Sequence, residues 1–218
     1  MSRIDYMREW RRENRSRIRA YRAQWANENP SKIRDYRAAA RVLHNNVVNV
    51  FKSNPCTDCS NSFSVFCMEF DHRPGTDKVC DVCDMIGYHS LDTILEEIQK
   101  CDLVCRNCHR VRTANRAGPL DRSAYSFAVQ RILDEVDRLR SRPCMDCQIS
   151  YPFPAMDFDH VLGKKVSSIS RMKRSAGMGR VLDEIKKCEL VCANCHAIRT
   201  CTRDIDKLHA SARNRRVA

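Results

Sequence analysis

The chain has no apolar run approaching the roughly 20 residues needed to cross a bilayer. Its opening stretch, MSRIDYMREWRREN, holds no apolar segment of the kind that directs secretion. A soluble, intracellular protein is therefore expected, with no membrane partner. Length is also in short supply. At 218 residues there is room for one ordinary domain or two small ones, and small units seldom reach stability on apolar burial alone. Acidic residues are scarce relative to basic ones, with 27 Asp plus Glu against 39 Lys plus Arg and a formal charge of +12.

What the chain does have is cysteine, 14 in all. A disulfide framework would need an oxidising compartment, which the missing secretion signal argues against. Most of the thiols are then free to bind metal. The positive charge is uneven, because residues 1–41 carry 12 Arg or Lys and 5 Asp or Glu, a net of +7. A basic arm of this kind suits a polyanion, most often nucleic acid. The alternative is a solvated, arginine-rich helix that only keeps the chain soluble.

The arm repeats with a period of 15 residues. Tyr6, Tyr21 and Tyr36 are equally spaced, as are Trp10 and Trp25, Asn14 and Asn29, and Ile18 and Ile33. Each Tyr–Trp pair, four residues apart, falls on one helical face, and that stripe is expected to pack against a neighbour. Asn29-Pro30 predicts a break, with a new helix running toward residue 52.

A larger duplication fills the rest. NPCTDCSNSFSVFCMEFDH (54–72) is answered by RPCMDCQISYPFPAMDFDH (142–160), and TILEEIQKCDLVCRNCHRVRT (93–113) by RVLDEIKKCELVCANCHAIRT (180–200). A helix is expected ahead of each unit; the second should span about 121–141, with Phe127, Ile132, Val136 and Leu139 on one face. The expected division is a helical arm (1–41), a first unit with its preceding helix (42–118), a linker helix with the second unit (119–208) and a basic tail (209–218).

Each unit opens and closes with a C-x2-C turn: Cys56, Cys59, Cys105 and Cys108 in the first, Cys144, Cys147, Cys192 and Cys195 in the second. Two such turns supply the four soft ligands of a tetrahedral zinc site, at about 2.3 Å each. Buried free thiols would not explain the paired spacing. Cys101 and Cys188 recur four residues before the closing pair and read as core residues, with alternative ligands as the other possibility. Cys80 and Cys83 align with Ser167 and Ser170, so an extra metal site would belong to the first unit alone. Between the cysteine pairs, Met68–His72 and Met156–His160 alternate apolar with polar, as half-buried strands do. On such a strand Asp71 and His72 point to opposite faces unless the chain bends. Asp-His on a strand, followed by a histidine at a cysteine-tethered helix start, offers an oxygen ligand, an imidazole ligand and a spare base, the parts of metal-assisted hydrolysis.

With FDH on the strand and CxNCHxxRT on the helix, each unit resembles the HNH endonucleases, also called ββα-metal or His-Me finger nucleases. The order C-x2-C, Asp-His, C-x2-C-His is similar to zinc-containing members found in phage and mobile elements. It is also similar to phage resolvases of branched DNA, where Asn follows the last cysteine. The resemblance covers residues 54–113 and 142–200. It implies a small zinc-stabilised α+β fold, a basic helical arm followed by two tandem hairpin–helix units. It further implies one magnesium or manganese ion per unit, with Asp71 and His109, and Asp159 and His196, as its ligands. His72 and His160 would be the general bases that activate water, leaving a 5′ phosphate and a 3′ hydroxyl. The eight cysteines would hold two structural zinc ions. The family's central Asn is absent from EIQKCDLVC and EIKKCELVC; Asn107 and Asn194 lie between the closing cysteines instead, so its role passes to Glu97 and Glu184 or to backbone groups.

The implied function is DNA phosphodiester hydrolysis by a monomeric pseudo-dimer, in the cytoplasm of a bacterial cell or a virus-infected host cell. The connection in unit two, VLGKKVSSISRMKRSAGMGR, is the more basic and should contribute more to DNA affinity. The rival reading is a non-catalytic zinc protein that binds DNA or RNA. No element reads as a recognition helix, so the target sequence or structure stays open. Elemental analysis of the reduced protein should find two zinc ions per chain; a disulfide-built protein would contain none and would lose its fold on reduction.

Overall fold

The computed structural model describes the backbone of residues 2–217 and the side chains of residues 2–207. In chain order the elements are helices α1 (Arg3–Glu13), α2 (Arg15–Glu28) and α3 (Pro30–Lys52), strand β1 (Met68–His72), helices α4 (Val82–Met85) and α5 (Leu91–Ile98), strand β2 (Cys101–Cys105), helices α6 (Arg106–Ala117) and α7 (Phe127–Arg140), strand β3 (Met156–His160), helices α8 (Ile169–Met172) and α9 (Met178–Ile185), strand β4 (Cys188–Cys192) and helix α10 (Ala193–Val217). This is a mixed α+β fold of helices and two small antiparallel sheets. No described helix is long and apolar enough to cross a membrane.

One compact unit consists of residues 1–48 and 78–98. Its arm shows what the 15-residue period does. Asn14 and Asn29 each turn back to donate from the side-chain amide to the carbonyl of Trp10 and Trp25, at 2.9 Å in both cases. Their backbone N–H groups donate to the same two carbonyls. Such local bonding satisfies the last carbonyls of a helix and competes with its continuation. α1 and α2 therefore stop at equivalent asparagines. α3 begins at Pro30 as expected, whereas the stop at Asn14 was not foreseen. At the other end of α1, Ser2 and Asp5 form a reciprocal capping box. Tyr6, Tyr21 and Tyr36 are all more than half exposed, so the expected packing of the tyrosine stripe against a neighbour is not found. Further along, buried His44 accepts from the Gly87 backbone N–H at 3.1 Å. Gly87 has φ +84°, a left-handed conformation that other residues adopt only with strain.

The second compact unit, residues 49–77 and 99–218, contains both hairpins. β1 pairs antiparallel with β2 in the register Met68↔Cys105 to His72↔Cys101. β3 pairs with β4 in the matching register Met156↔Cys192 to His160↔Cys188. In each repeat the second strand runs straight into a helix at its last cysteine, so hairpin and helix share one joint. Around it Cys56, Met68, Val104 and Cys105 are buried together, as are Cys144, Met156, Leu190, Val191 and Cys192. A further core joins Ile132 and Val136 of α7 to Ile169 and Met172 of α8 and to Val181 and Ile185 of α9. Ile132 and Val136 thus lie on the face expected of them, with Leu139 packed beside it, but Phe127 does not; it is 76 % exposed at the first position of its helix.

The repeats are joined reciprocally. α6 packs against the short 3-10 turn Phe153–Ala155 of the second repeat, α10 against the equivalent turn Val65–Cys67 of the first, and α6 against α10. At their centre Asn107 and Asn194 exchange bonds. The backbone N–H of Asn107 donates to Asn194 Oδ1 at 3.3 Å, and that of Asn194 to Asn107 Oδ1 at 3.1 Å. Both side chains are buried. Cys67, also buried, donates from Sγ to the Asn194 carbonyl at 3.4 Å. Reciprocity of this kind is the mark of a two-fold arrangement, here within one chain.

Asn194→Ala would leave the buried Asn107 N–H without its acceptor. The expected cost is about 1–3 kcal/mol, read as a lower urea midpoint with an unchanged slope; an unchanged midpoint would remove this pair from any structural role.

Candidate metal centres

The four sulphurs of Cys56, Cys59, Cys105 and Cys108 all lie within 4.8 Å of one another, and so do those of Cys144, Cys147, Cys192 and Cys195. The sulphurs of a tetrahedral zinc site lie about 3.8 Å apart for bonds of about 2.3 Å, so both clusters could hold the ion. The backbone favours thiolate as well. Cys105 N–H donates to Cys56 Sγ, and Cys192 N–H to Cys144 Sγ, each at 3.2 Å. Burial opposes ionisation of Cys56, but backbone N–H groups from Cys59, Cys105 and Asp58 outweigh it and lower its pKa to about 7. Cys144 reaches about 7 for the equivalent reason. Cys108 and Cys195 are pushed strongly upward by burial and by thiolate neighbours, the strain an added cation relieves.

The remaining cysteines lie outside these clusters. Cys101 and Cys188 are the strand partners of His72 and His160, and burial raises Cys188 to about 11. Cys83 is exposed, and among the described residues no group of three or more metal-binding side chains includes Cys80 or Cys83.

The histidine after each closing pair lies on the first turn of its helix and faces the first strand of its hairpin. His109 Nε2 is 3.4 Å from Asp71 Oδ1, and His196 Nε2 is 3.6 Å from Asp159 Oδ1. The opposite nitrogen is taken by a second carboxylate, two residues earlier on the strand. His109 Nδ1 lies 2.7 Å from Glu69 Oε2, and His196 Nδ1 lies 3.0 Å from Asp157 Oδ2. The Glu69 bond raises His109 above its ordinary pKa. Glu69 and Asp157 were missed in the sequence, although period-2 alternation puts them on the same strand face as Asp71 and Asp159.

Arginines also converge on the two aspartates. Asp71 accepts from Arg112 at 3.0 Å and from Arg116 at 2.8 Å. Asp159 accepts from Arg199 at 3.1 Å and from Arg203 at 2.8 Å. Burial disfavours both carboxylates, yet Arg116 and Arg112 hold Asp71 below the usual range, and Arg203 and Arg199 do the same for Asp159. Arg112 also binds Asp58 and Asp102, and Arg199 binds Asp146 and Glu189. Each helix is thereby tied to the opening C-x2-C turn and to both strands.

His160 does not join this group. Asp159 turns toward α10, whereas His160 Nε2 lies 2.9 Å from Glu184 Oε1 on α9. Neighbours on a strand leave opposite faces, and here the chain does not bend to reunite them. Glu184 is buried. It also accepts from the Val166 N–H at 2.8 Å and from Lys187 at 2.7 Å, and Lys187 is the main reason its pKa falls to about 2. Glu97, the corresponding residue of the first repeat, accepts from the Val79 N–H at 2.9 Å. His72 is half-buried at the end of β1, opposite Cys101.

These features define a class by structure: an α+β protein with two hairpin–helix units, each carrying a tetra-cysteine cluster that could hold zinc and a carboxylate–histidine–carboxylate row. No protein family matches the chain, and neither does any curated protein or solved structure.

Cys105→Ala and Cys192→Ala should each lower the zinc content by one ion per chain. Cys101→Ala and Cys188→Ala should leave it unchanged, and zinc loss in either would place those thiols among the ligands.

Proposed function

We propose that the protein is a metal-dependent DNA endonuclease that hydrolyses phosphodiester bonds, with two HNH-type sites in one chain acting as a pseudo-dimer inside a bacterial or virus-infected cell. The observation that carries this reading is the row Glu69–His109–Asp71 and its counterpart Asp157–His196–Asp159. In each, a carboxylate holds Nδ1 and leaves Nε2 beside a second carboxylate, the arrangement that orients an imidazole as a metal ligand. One imidazole and one carboxylate suit magnesium or manganese, which bind few protein groups and keep several waters. An ion bound there supplies positive charge to the phosphate and the leaving oxygen.

The chain's own groups do the rest. Glu184 takes the Nε2 proton of His160 in a hydrogen bond, so Nδ1 is the nitrogen that accepts a proton from water. Asp159 and His160 leave β3 on opposite faces but both at its end, where a phosphate seated across the strand terminus meets each of them. Arg112, Arg116, Arg199 and Arg203 pair with the two aspartates and would supply positive charge beside a phosphate held there. The net charge of +12 favours a polyanionic substrate.

The second reading is a non-catalytic zinc protein that binds DNA or RNA. The same arginines favour it, because Asp71 and Asp159 already have cationic partners.

Supercoiled plasmid with magnesium or manganese separates the two. The wild type should linearise it, His72→Ala and His160→Ala should each nick without linearising, and the double variant should do neither. Cleavage by the double variant at the wild-type rate would end the assignment of these bases, and binding without cleavage by the wild type would establish the second reading.

A further inference from the structure

Among the positions at which the two repeats differ on the helix that carries the metal-side histidine, two exchange arginine for alanine. Arg106 and Arg110 of α6 correspond to Ala193 and Ala197 of α10, in VCRNCHRVRT and VCANCHAIRT. Both alanines are buried, so α10 has neither a guanidinium nor open space for one there. The arginines of α6 do not serve the same repeat. Arg106 Nε lies 3.1 Å from Glu69 Oε1, the carboxylate that holds His109 in its own hairpin. Arg110 crosses to the other hairpin and binds Asp157 in a two-pronged contact, Nη1 to Oδ1 and Nη2 to Oδ2, both at 3.1 Å. Asp157 Oδ2 is also the atom that holds His196 Nδ1.

We infer that α6 of the first repeat positions the metal-side histidine of both sites, so that the second site is completed across the repeat junction by Arg110. The inference rests on reading the two rows as metal centres. The Arg110 guanidinium is half exposed and a single contact there would be worth little, but its fork on a half-buried carboxylate fixes both oxygens in one plane. Arg140 of the second repeat lies over the Phe158 ring, whereas Arg110 makes two hydrogen bonds to Asp157, so orienting Asp157 falls to Arg110. The dependence runs one way. The first site draws its arginine from its own helix, whereas the second borrows one.

Arg110 is a positioning residue, and its test isolates each site. His109→Ala leaves the second metal centre as the reporter, and His196→Ala leaves the first. Manganese binding is followed by electron paramagnetic resonance, and plasmid nicking by initial rates. Added to His109→Ala, Arg110→Ala should weaken manganese binding by about tenfold or more and lower kcat, with KM for DNA unchanged. Added to His196→Ala, it should change none of these. Arg110→Lys should restore part of the loss, and Asp157→Asn should reproduce it, which covers the case where Arg110→Ala misfolds and loses zinc. Equal losses in both backgrounds, or none in the His109→Ala background, would overturn the inference. If the parents bind manganese but nick nothing, the nuclease reading fails and the manganese affinities still decide the role of Arg110; parents that bind no manganese overturn both.

Discussion

Two buried asparagines, Asn107 and Asn194, exchange backbone hydrogen bonds at the junction of the repeats, and much of the second compact unit is arranged around that exchange. Each asparagine sits between the closing cysteines of its own repeat, so the bond that joins the repeats also joins the two joints where hairpin meets helix. An isolated hairpin of two five-residue strands has little stability of its own. Four thiols converge where it meets its helix, and the helix of each repeat packs against the 3-10 turn of the other. A small unit with an interrupted core gains order in this way without a large sheet.

The arrangement has consequences for charge. Each hairpin presents aspartates toward a helix rich in arginine, and each arginine after the Cys-His segment reaches three carboxylates at once. Shared partners of this kind fix the angle between helix and strand more firmly than single pairs do. They also bring histidine Nε2 to the inner carboxylate while Nδ1 is held by the outer one. The row is symmetric in its histidines and in the arginines on its inner aspartates, but the arginines on its outer carboxylates, Arg106 and Arg110, both come from α6. The near-repeat in the sequence therefore conceals a division of labour.

Several features were legible before any fold was known. The cysteine spacing named the eight thiols that converge, because ligands of one ion must come from turns of fixed reach. Alternation marked both strands, and Asn29-Pro30 marked the start of α3. The place of the missing central Asn was open between Glu97 and Glu184 or backbone groups, and Glu184 bonds His160. Other features were not legible. The tyrosine stripe looked like a packing face, yet periodicity reports only that residues share a face, not what covers it. Phe127 fitted an apolar helical pattern but occupies the first turn, clear of the core. Glu69 and Asp157 share a strand face with Asp71 and Asp159 by alternation, but no local pattern marks them as histidine partners.

By itself the sequence determined the duplication, the two thiol clusters, the first strand of each unit and the basic charge, since each of these is a local pattern or a sum over residues. Only the tertiary structure decided that His160 meets Glu184 of α9, that Asn107 meets Asn194 from 87 positions away, and that Arg110 reaches Asp157 of the other repeat. Those facts depend on which surfaces of two similar units face each other. A repeat written twice in a chain specifies its own fold twice, and it leaves the docking of one copy on the other to packing between residues far apart in sequence.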